Sequence, residues 1–338
     1  MPSNVLFDDE LSCDVRQLWN NALSAGTRAC YNSGLQCFLS FIRMQGISFM
    51  GRTLPPISED ILIHFVTHCN KRLKLKYDTI KLYLAGVRFH YIRNNLGDPL
   101  AGTLRLSYIL RAIKKSPVVP SPQRFPITSD VLIKLCAALN TNMGLFSPFT
   151  ALLLQCVFKT AFYGFMRCGE FTCKTLRDTN FIHMEDVTLL PDKSCFHLRL
   201  RSSKTDPYGR GVVLKIFENH VLTPVLTMSQ YLDTRYSQGA TKSSPLFVED
   251  HVSSPEKPLS RPTFISYLKE SLTRVGVDCR AFNGHSFRIG AATSAAAAGI
   301  EDHVIQTLGR WSSNCYIRYI RTNPSTILHA QHTMSVCQ

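Results

Sequence analysis

Acidic residues are scarce in this sequence. Only 24 Asp and Glu stand against 38 Lys and Arg in 338 residues, which leaves a formal charge of +14. An imbalance of that sign favours a polyanionic partner, either nucleic acid or an anionic membrane surface. The sequence also has no apolar run approaching the roughly 20 residues that cross a bilayer. Its start carries Asp8, Asp9 and Glu10 where a secretory leader carries basic and apolar residues. A soluble, unexported protein with no membrane partner is therefore expected. Twelve cysteines are present, yet no two form a C-x-x-C pair. Reduced, mostly buried thiols are expected in place of a disulfide framework.

The usual cofactor signatures are missing as well. Gly164 to Gly169 has the glycine spacing of a phosphate loop, but Glu170 stands where that loop needs lysine and would repel phosphate. His64 and His68 lie one helical turn apart without the glutamate of a zinc protease, so they read as structural residues, and no metal is expected. No G-x-S-x-G elbow occurs. Neither a cofactor nor a metal is implied.

What the sequence does contain is a folded chain in two parts. Charged residues make up 18% and hydrophobic ones 45%, a balance that packs a core. The length exceeds one ordinary domain. Four amphipathic helices are expected in the first third. Tyr31, Leu35, Phe38, Leu39 and Ile42 form one stripe, entered near Ser24 or Thr27, and Ser58 precedes a second with Ile61, Leu62, Phe65, Val66 and Cys69. A third spans about Asp78 to Asn94, with Leu82, Tyr83, Val87 and Ile92 inward, and a fourth about Leu104 to Lys115, with Tyr108, Ile109 and Ala112. From Arg16 to Lys115 there are 15 basic residues and four acidic ones. Lys71, Arg72, Lys74, Lys76, Lys81, Arg88, Arg93, Arg105, Arg111, Lys114 and Lys115 fall on polar faces, where DNA backbone phosphate is a natural counter-surface.

Residues 116 to 126 hold four prolines, which forbid helix and mark an extended linker. The chain is thus divided into a helical DNA-clamping domain (1–115), a linker (116–126) and a second domain (127–338). In the second, helices are expected from Thr128 or Ser129 to Ala138 and from Pro148 to Met166. Three short strands come next, Val187–Leu190, Cys195–Leu200 and Val212–Ile216, joined by turns at Pro191-Asp192 and Asp206-Pro207-Tyr208-Gly209. Helices return at Leu222–Arg235, Thr263–Val275, Ser286–Ala298, Asp302–Leu308 and Asn314–Arg321. The fold class expected is mainly α with a small antiparallel β-sheet (α+β).

The candidate chemistry sits in this second domain. Arg167 ends an apolar run, where a charge has to be paired or functional, and Glu170 at i+3 is placed to hold it. Lys204 lies at the tip of the strand pair. His285 and Arg288, at i and i+3, open an Ala-rich helix near the positive end of its dipole. Trp311 comes after Gly309-Arg310, and Tyr319 sits one short helix later. Singly, each has a plain structural explanation: an intrahelical ion pair, a turn lysine, core and interface aromatics.

Their order is more telling. R-x-x-E, a hairpin lysine, H-x-x-R, G-x-W and then a tyrosine resembles the tyrosine recombinase (phage integrase) family, over about Arg16 to Asn323. The strings Ser203-Lys204-Thr205-Asp206-Pro207 and Gly309-Arg310-Trp311 look closest to eukaryotic members carried by mobile elements. The resemblance implies a core-binding domain followed by a catalytic domain that cleaves and rejoins double-stranded DNA through a 3′-phosphotyrosine, with neither ATP nor metal. By the same resemblance Arg167 and Arg288 would grip the scissile phosphate, His285 would donate or shuttle a proton there, and Trp311 would hydrogen-bond it. Glu170 would orient Arg167, Lys204 would protonate the leaving 5′ oxygen, and Tyr319 would attack. Assembly as a homotetramer on paired sites, and location in the nucleus if the source is eukaryotic (otherwise the cytoplasm), are implied too. The residues from 322 onward would be exchanged between protomers or frayed. Trp311 to Tyr319 is eight residues, one short of the spacing common in bacterial members, so Tyr316 stands as the alternative nucleophile. A non-cleaving DNA-binding descendant and a type IB topoisomerase are the rival readings.

Overall fold

Helices begin where a serine side chain can take up a free backbone N–H ahead of an apolar stripe. The computed structural model describes residues 8–47, 49, 54–116, 123–141, 144–173, 181–201, 209–250, 256–322 and 324–336. In it Ser24 accepts from the Thr27 N–H, Ser58 from Ile61, Ser147 from Thr150 and Ser260 from Thr263, at 3.0 to 3.3 Å. The chain divides into two compact units, Met1–Pro120 and Ser121–Gln338.

The first unit contains α1 (Asp9–Asn21), α2 (Ala25–Met44), α3 (Glu59–Lys71), α4 (Tyr77–Arg93) and α5 (Leu104–Lys115). Its core gathers Phe38, Ile42, Leu62, Phe65, Val66, Ile80, Leu84, Val87 and Tyr91. Phe38 meets Phe65 edge-on at 5.2 Å between ring centres, and each ring taken from water contributes roughly 1.5–3 kcal/mol. Two stripes differ from expectation. In α4 the buried set is Ile80, Leu84, Val87 and Tyr91, with Leu82 and Ile92 exposed; in α5 it is Leu106 and Ile113, with Tyr108 66% exposed. Both helices carry apolar residues on more than one face, so periodicity alone chose the wrong edge of the stripe. The helix α1 was not expected. It is polar and buries no residue, and it leaves Leu11, Val15 and Leu18 exposed.

The second unit holds α6 (Ser129–Thr141), α7 (Pro148–Tyr163), α8 (Cys168–Phe171), β1 (Val187–Leu189), β2 (Cys195–Leu200), β3 (Val212–Phe217), α9 (Pro224–Ser237), α10 (Arg261–Arg274), α11 (Ser286–Ala297), α12 (Asp302–Gly309) and α13 (Pro324–Val336). The strands form one antiparallel sheet in the order β1-β2-β3, with Val187 opposite Leu198 and Leu200 opposite Val212. The fold is therefore mainly helical with a small antiparallel sheet, as expected. At the first turn the Asp192 carboxylate accepts the Ser194 N–H at 3.1 Å. The second turn falls largely on residues 202–208, which lie outside the described residues, as does most of the proline-rich linker.

The helix α11 is anchored on two sides. Phe287 packs with Phe158 of α7 at 5.1 Å and Phe264 of α10 at 5.9 Å, which seats the helix in the core. On its other side Gly290 lies against the backbone of Ile127, where a Cβ would come within 1.7 Å of the carbonyl oxygen. The Ile127 N–H donates to the Ser286 carbonyl at 2.9 Å, and the Ser129 N–H to Ser294 Oγ at 3.0 Å. The helix is held along its length.

Candidate active site

The chain turns sharply after α7. The helix stops at Tyr163, three residues before the expected end, because Gly164 caps it and Phe165 adopts a left-handed φ of 46°. Arg167 consequently starts the short helix α8 and does not end the long one. Glu170 closes that turn. Its carboxylate accepts both the Arg167 backbone N–H and the Arg167 guanidinium at 2.9 Å.

Glu170 has a second cation. Arg310 caps α12 in the left-handed conformation, φ 56°, and sends its guanidinium to the Gly164 carbonyl at 3.0 Å and to Glu170 at 2.7 Å. The adjoining glycine permits this arrangement, since a Cβ on Gly309 would fall within 2 Å of the Trp311 ring. Sequence reasoning passed over Arg310. The available signal was its position, for it stands nine residues before Tyr319, the spacing that Trp311 misses by one.

Arg288 completes the cluster. It has no exposed surface, and its guanidinium donates to the carbonyls of Phe165 and Gly309. It also stacks on the Trp311 ring at 4.3 Å and lies 5.7 Å from the Tyr319 ring centre. The Trp311 and Tyr319 rings are 5.1 Å apart. Burial, with Arg167 and Arg310 close by, pulls the Arg288 pKa downward, and burial does the same to Arg310. The Nε–H groups of Arg288 and Arg310 have no acceptor among the described residues. The cluster thus holds three guanidinium groups and one carboxylate, Glu170, which pairs with Arg167 and Arg310 while Arg288 has only backbone carbonyls. Removing unmatched charge from water is costly, and an anion entering the cluster would offset it.

Tyr319 and His285 open onto a shared cleft of about 700 Å³, whose lining includes Arg124, Arg280, Arg318 and Arg321. Arg124 and Arg280 were not singled out from the sequence, because they lie on segments distant from Tyr319 in chain order; Arg318 and Arg321 flank Tyr319 in the Arg-Tyr-Ile-Arg string, which resembles the family's nucleophile helix. His285 caps α11, its N–H donating to the Asn283 side chain at 3.0 Å. Burial first, then Arg124, Arg261, Arg288 and Arg167, hold its imidazole below the ordinary 6.5. At neutral pH the ring is an uncharged proton acceptor. As pH falls below 6.5 the unfolded ring takes a proton that the folded ring resists, so His285 lowers stability until its own folded midpoint is passed. An NMR titration of the DNA-free protein is expected to place this midpoint under 6.5, and His285→Gln to reduce the loss of melting temperature on acidification. A midpoint at or above 6.5 would contradict an imidazole held neutral by burial and neighbouring cations.

Tyr316 faces another way. It packs on Trp311 at 6.2 Å, is 5% exposed, and has its phenol raised by burial and by a hydrogen bond to the Asp302 carboxylate. The two tyrosines lie on a 3-10 helix, Asn314–Tyr319, where an α-helix to Arg321 was expected. Lys204 lies outside the described residues. The basic side chains expected to meet DNA belong to the first unit. Lys71, Arg72, Lys74, Arg111, Lys114 and Lys115 are exposed, whereas Arg88 is tied to Asp98 at 2.7 Å. Lys81 and Lys114 each lie 5.8 Å from the Tyr77 ring centre, and Arg111 stacks on Tyr108 at 5.2 Å.

Comparison with known proteins gives a family match, the phage integrase family, over residues 127–325. No curated protein matches the sequence. The XerH site-specific recombinase bound to palindromic difH substrate, in a post-cleavage complex, superposes with a TM-score of 0.62 at 14% identity, covering 92% of this chain and 79% of that one. The pre-cleavage XerH complex gives 0.53 at 14%, covering 81% and 70%. The Tn1549 transposon integrase in complex with a circular intermediate DNA gives 0.52 at 12%, covering 89% and 99%. At such identities the likeness is one of fold.

Proposed function

We propose, since this chain belongs to the phage integrase family, that it is a site-specific recombinase which cuts and rejoins double-stranded DNA through Tyr319. The observation that carries the reading is the Tyr319 ring, on the wall of a basic cleft, packed beside buried Arg288, which clusters with the partly buried Arg167 and Arg310 and one carboxylate. A phenol oxygen that attacks phosphorus as it loses its proton needs cationic surroundings to offset the charge that develops. This cluster supplies them.

In the proposed reaction the Tyr319 oxygen attacks the scissile phosphorus and its proton passes to neutral His285. The P–O bond to the phenol forms as the bond to the 5′ oxygen breaks, and Lys204 protonates the leaving oxygen. Arg167 and Arg288 hold the non-bridging oxygens as negative charge grows in the transition state. Glu170, shared with Arg310, orients Arg167. Because Arg288 is covered by the Trp311 and Tyr319 rings in the DNA-free chain, phosphate entry requires the tyrosine ring to swing off the guanidinium, which also brings the phenol toward the phosphorus. The phosphodiester energy is kept in the phosphotyrosine bond, so attack by a 5′ hydroxyl rejoins the strand without ATP or metal.

The remaining assignments rest on the resemblance and on charge. The exposed Lys71, Arg72, Lys74, Lys76, Lys81, Arg111, Lys114 and Lys115 are proposed to grip the duplex backbone, Arg88 doing so only if it leaves Asp98. A tetramer on paired sites, a mobile-element origin and a nuclear location belong to the same proposal. Tyr319 is preferred to Tyr316 because it lines the cleft while the Tyr316 phenol is engaged by Asp302. The test is incubation of the protein, in EDTA and without nucleotide, with a library of nicked duplexes. Cleavage next to the nick releases a short fragment and traps the enzyme on its DNA. A protein–DNA band resistant to denaturant is expected, and failure to capture any duplex from a library enriched for bound sequences would refute catalysis.

A further inference from the structure

A single hydroxyl fastens the chain around Tyr319 to the helix that carries His285 and Arg288. Thr293 lies on α11, five residues after Arg288 and eight after His285. At 1.5 Å per residue it is about 12 Å along the helix from the histidine. It is 9% exposed. Its Oγ1 donates to the Tyr319 carbonyl at 3.2 Å and accepts the Arg321 N–H at 3.1 Å. The 3-10 helix ends at Tyr319, so regular structure provides neither group with a partner, and Thr293 serves both. The Arg321 guanidinium tightens the same segment by donating to the Arg318 carbonyl at 2.6 Å and the Ile320 carbonyl at 3.3 Å.

We propose that Thr293 is a positioning residue for the nucleophile, its hydroxyl holding the backbone on both sides of Ile320 so that the Tyr319 ring swings from a fixed pivot toward the phosphate gripped by the arginines of its own chain. The inference rests on the recombinase reading and on Tyr319 as the attacking group. Because α11 is seated in the core through Phe287 and Gly290, it acts as a rigid ruler between the residues that receive the phosphate and the segment that delivers the phenol. A nucleophile displaced by about 1 Å loses up to roughly a hundredfold in rate. Substrate affinity draws on Arg124 and Arg280 of other segments as well as on Arg318 and Arg321, so it depends on this hydroxyl much less than the rate does.

The experiment compares Thr293→Val, which keeps shape and branching but loses both hydrogen bonds, with Thr293→Ser, which keeps the hydroxyl. Single-turnover cleavage of a nicked duplex is followed at a series of DNA concentrations. The valine variant is expected to form adduct about tenfold more slowly at saturating DNA, with the half-saturating concentration moved by no more than about threefold, and the serine variant to stay within about threefold of the parent protein on both measures. Hydrogen exchange at the Arg321 amide gives a readout that does not require catalysis: it is expected to quicken in the valine variant and remain slow in the serine variant. A valine variant with parental rate and parental exchange overturns the proposal, and so does a serine variant as impaired as valine. Should the valine variant fail to fold, the serine variant decides, since loss of rate or of Arg321 protection there would overturn the clamp. Absence of adduct in the parent protein refutes the recombinase reading itself, whereas parental adduct formation with an indifferent Thr293 refutes the clamp alone.

Discussion

Covalent capture of DNA is expected to vanish in Tyr319→Phe while DNA binding persists. Phenylalanine retains the ring that packs 5.1 Å from Trp311 and 5.7 Å from the Arg288 guanidinium, so the fold and the cationic cluster survive. Only the oxygen that would bond to phosphorus is gone. Loss of a nucleophile typically lowers rates by about a millionfold, which in a gel assay is complete disappearance of the adduct. Tyr316→Phe is the matched control. It removes the phenol held by Asp302, and is expected to lower melting temperature while leaving adduct formation in place. The reverse pattern, with capture surviving in Tyr319→Phe and lost in Tyr316→Phe, would transfer the nucleophile's role to Tyr316. Mass spectrometry of the trapped peptide identifies the modified residue directly.

Arg288→Lys is expected to slow cleavage by about 100- to 1,000-fold, the range seen when one donor to a developing oxyanion is removed. Lysine preserves the charge, so the comparison isolates the planar guanidinium. A lysine ammonium is a poor substitute for two parallel donors, and it cannot reproduce the flat stack on Trp311 together with hydrogen bonds to both Phe165 and Gly309. Arg288→Ala should lose at least as much activity and also stability, since two buried carbonyls lose their donor at about 1–3 kcal/mol each. Part of that cost is offset, because Arg167 and Arg310 then have one cation fewer beside them. Single-turnover rates, DNA affinity and thermal melting taken together separate the effects. If Arg288→Lys cleaves at the parental rate with an unchanged melting temperature, the assignment of Arg288 to the phosphate is wrong.

Arg310 shows why part of the site was unreadable from sequence. An arginine after glycine at a helix end is ordinarily a solvated cap. Here it turns inward because Gly309 leaves room for the Trp311 ring and because Glu170, 140 residues earlier, offers an oxygen that accepts from Arg310 as well as from the Arg167 backbone N–H. Neither condition is visible in the string Gly309-Arg310-Trp311. Two arginines of the cleft were missed for a related reason: Arg124 and Arg280 join Arg318 and Arg321 only when the segments carrying them pack together. The stripes of α4 and α5 were assigned to neighbouring edges because several registers of Leu, Ile and Tyr satisfy a helical period equally well, and packing chooses among them.

Sequence alone was enough to determine the helical stripe of Leu35, Phe38 and Ile42, the three strands to within a residue at their ends, the pairing of Arg167 with Glu170, and His285 one helical turn before Arg288. Each depends on spacings of a few residues, which backbone geometry converts directly into shared faces and short contacts. Only the tertiary structure decided that Arg310 and Arg167 share one carboxylate, that Arg288 lies beneath Trp311 and Tyr319, and that Tyr319 opens to the cleft while Tyr316 turns to Asp302. Those relations join residues from 23 to 140 positions apart in chain order, or select between two tyrosines three apart. Long-range packing settles them, because a side chain's local periodicity carries no information about which distant surface it will meet.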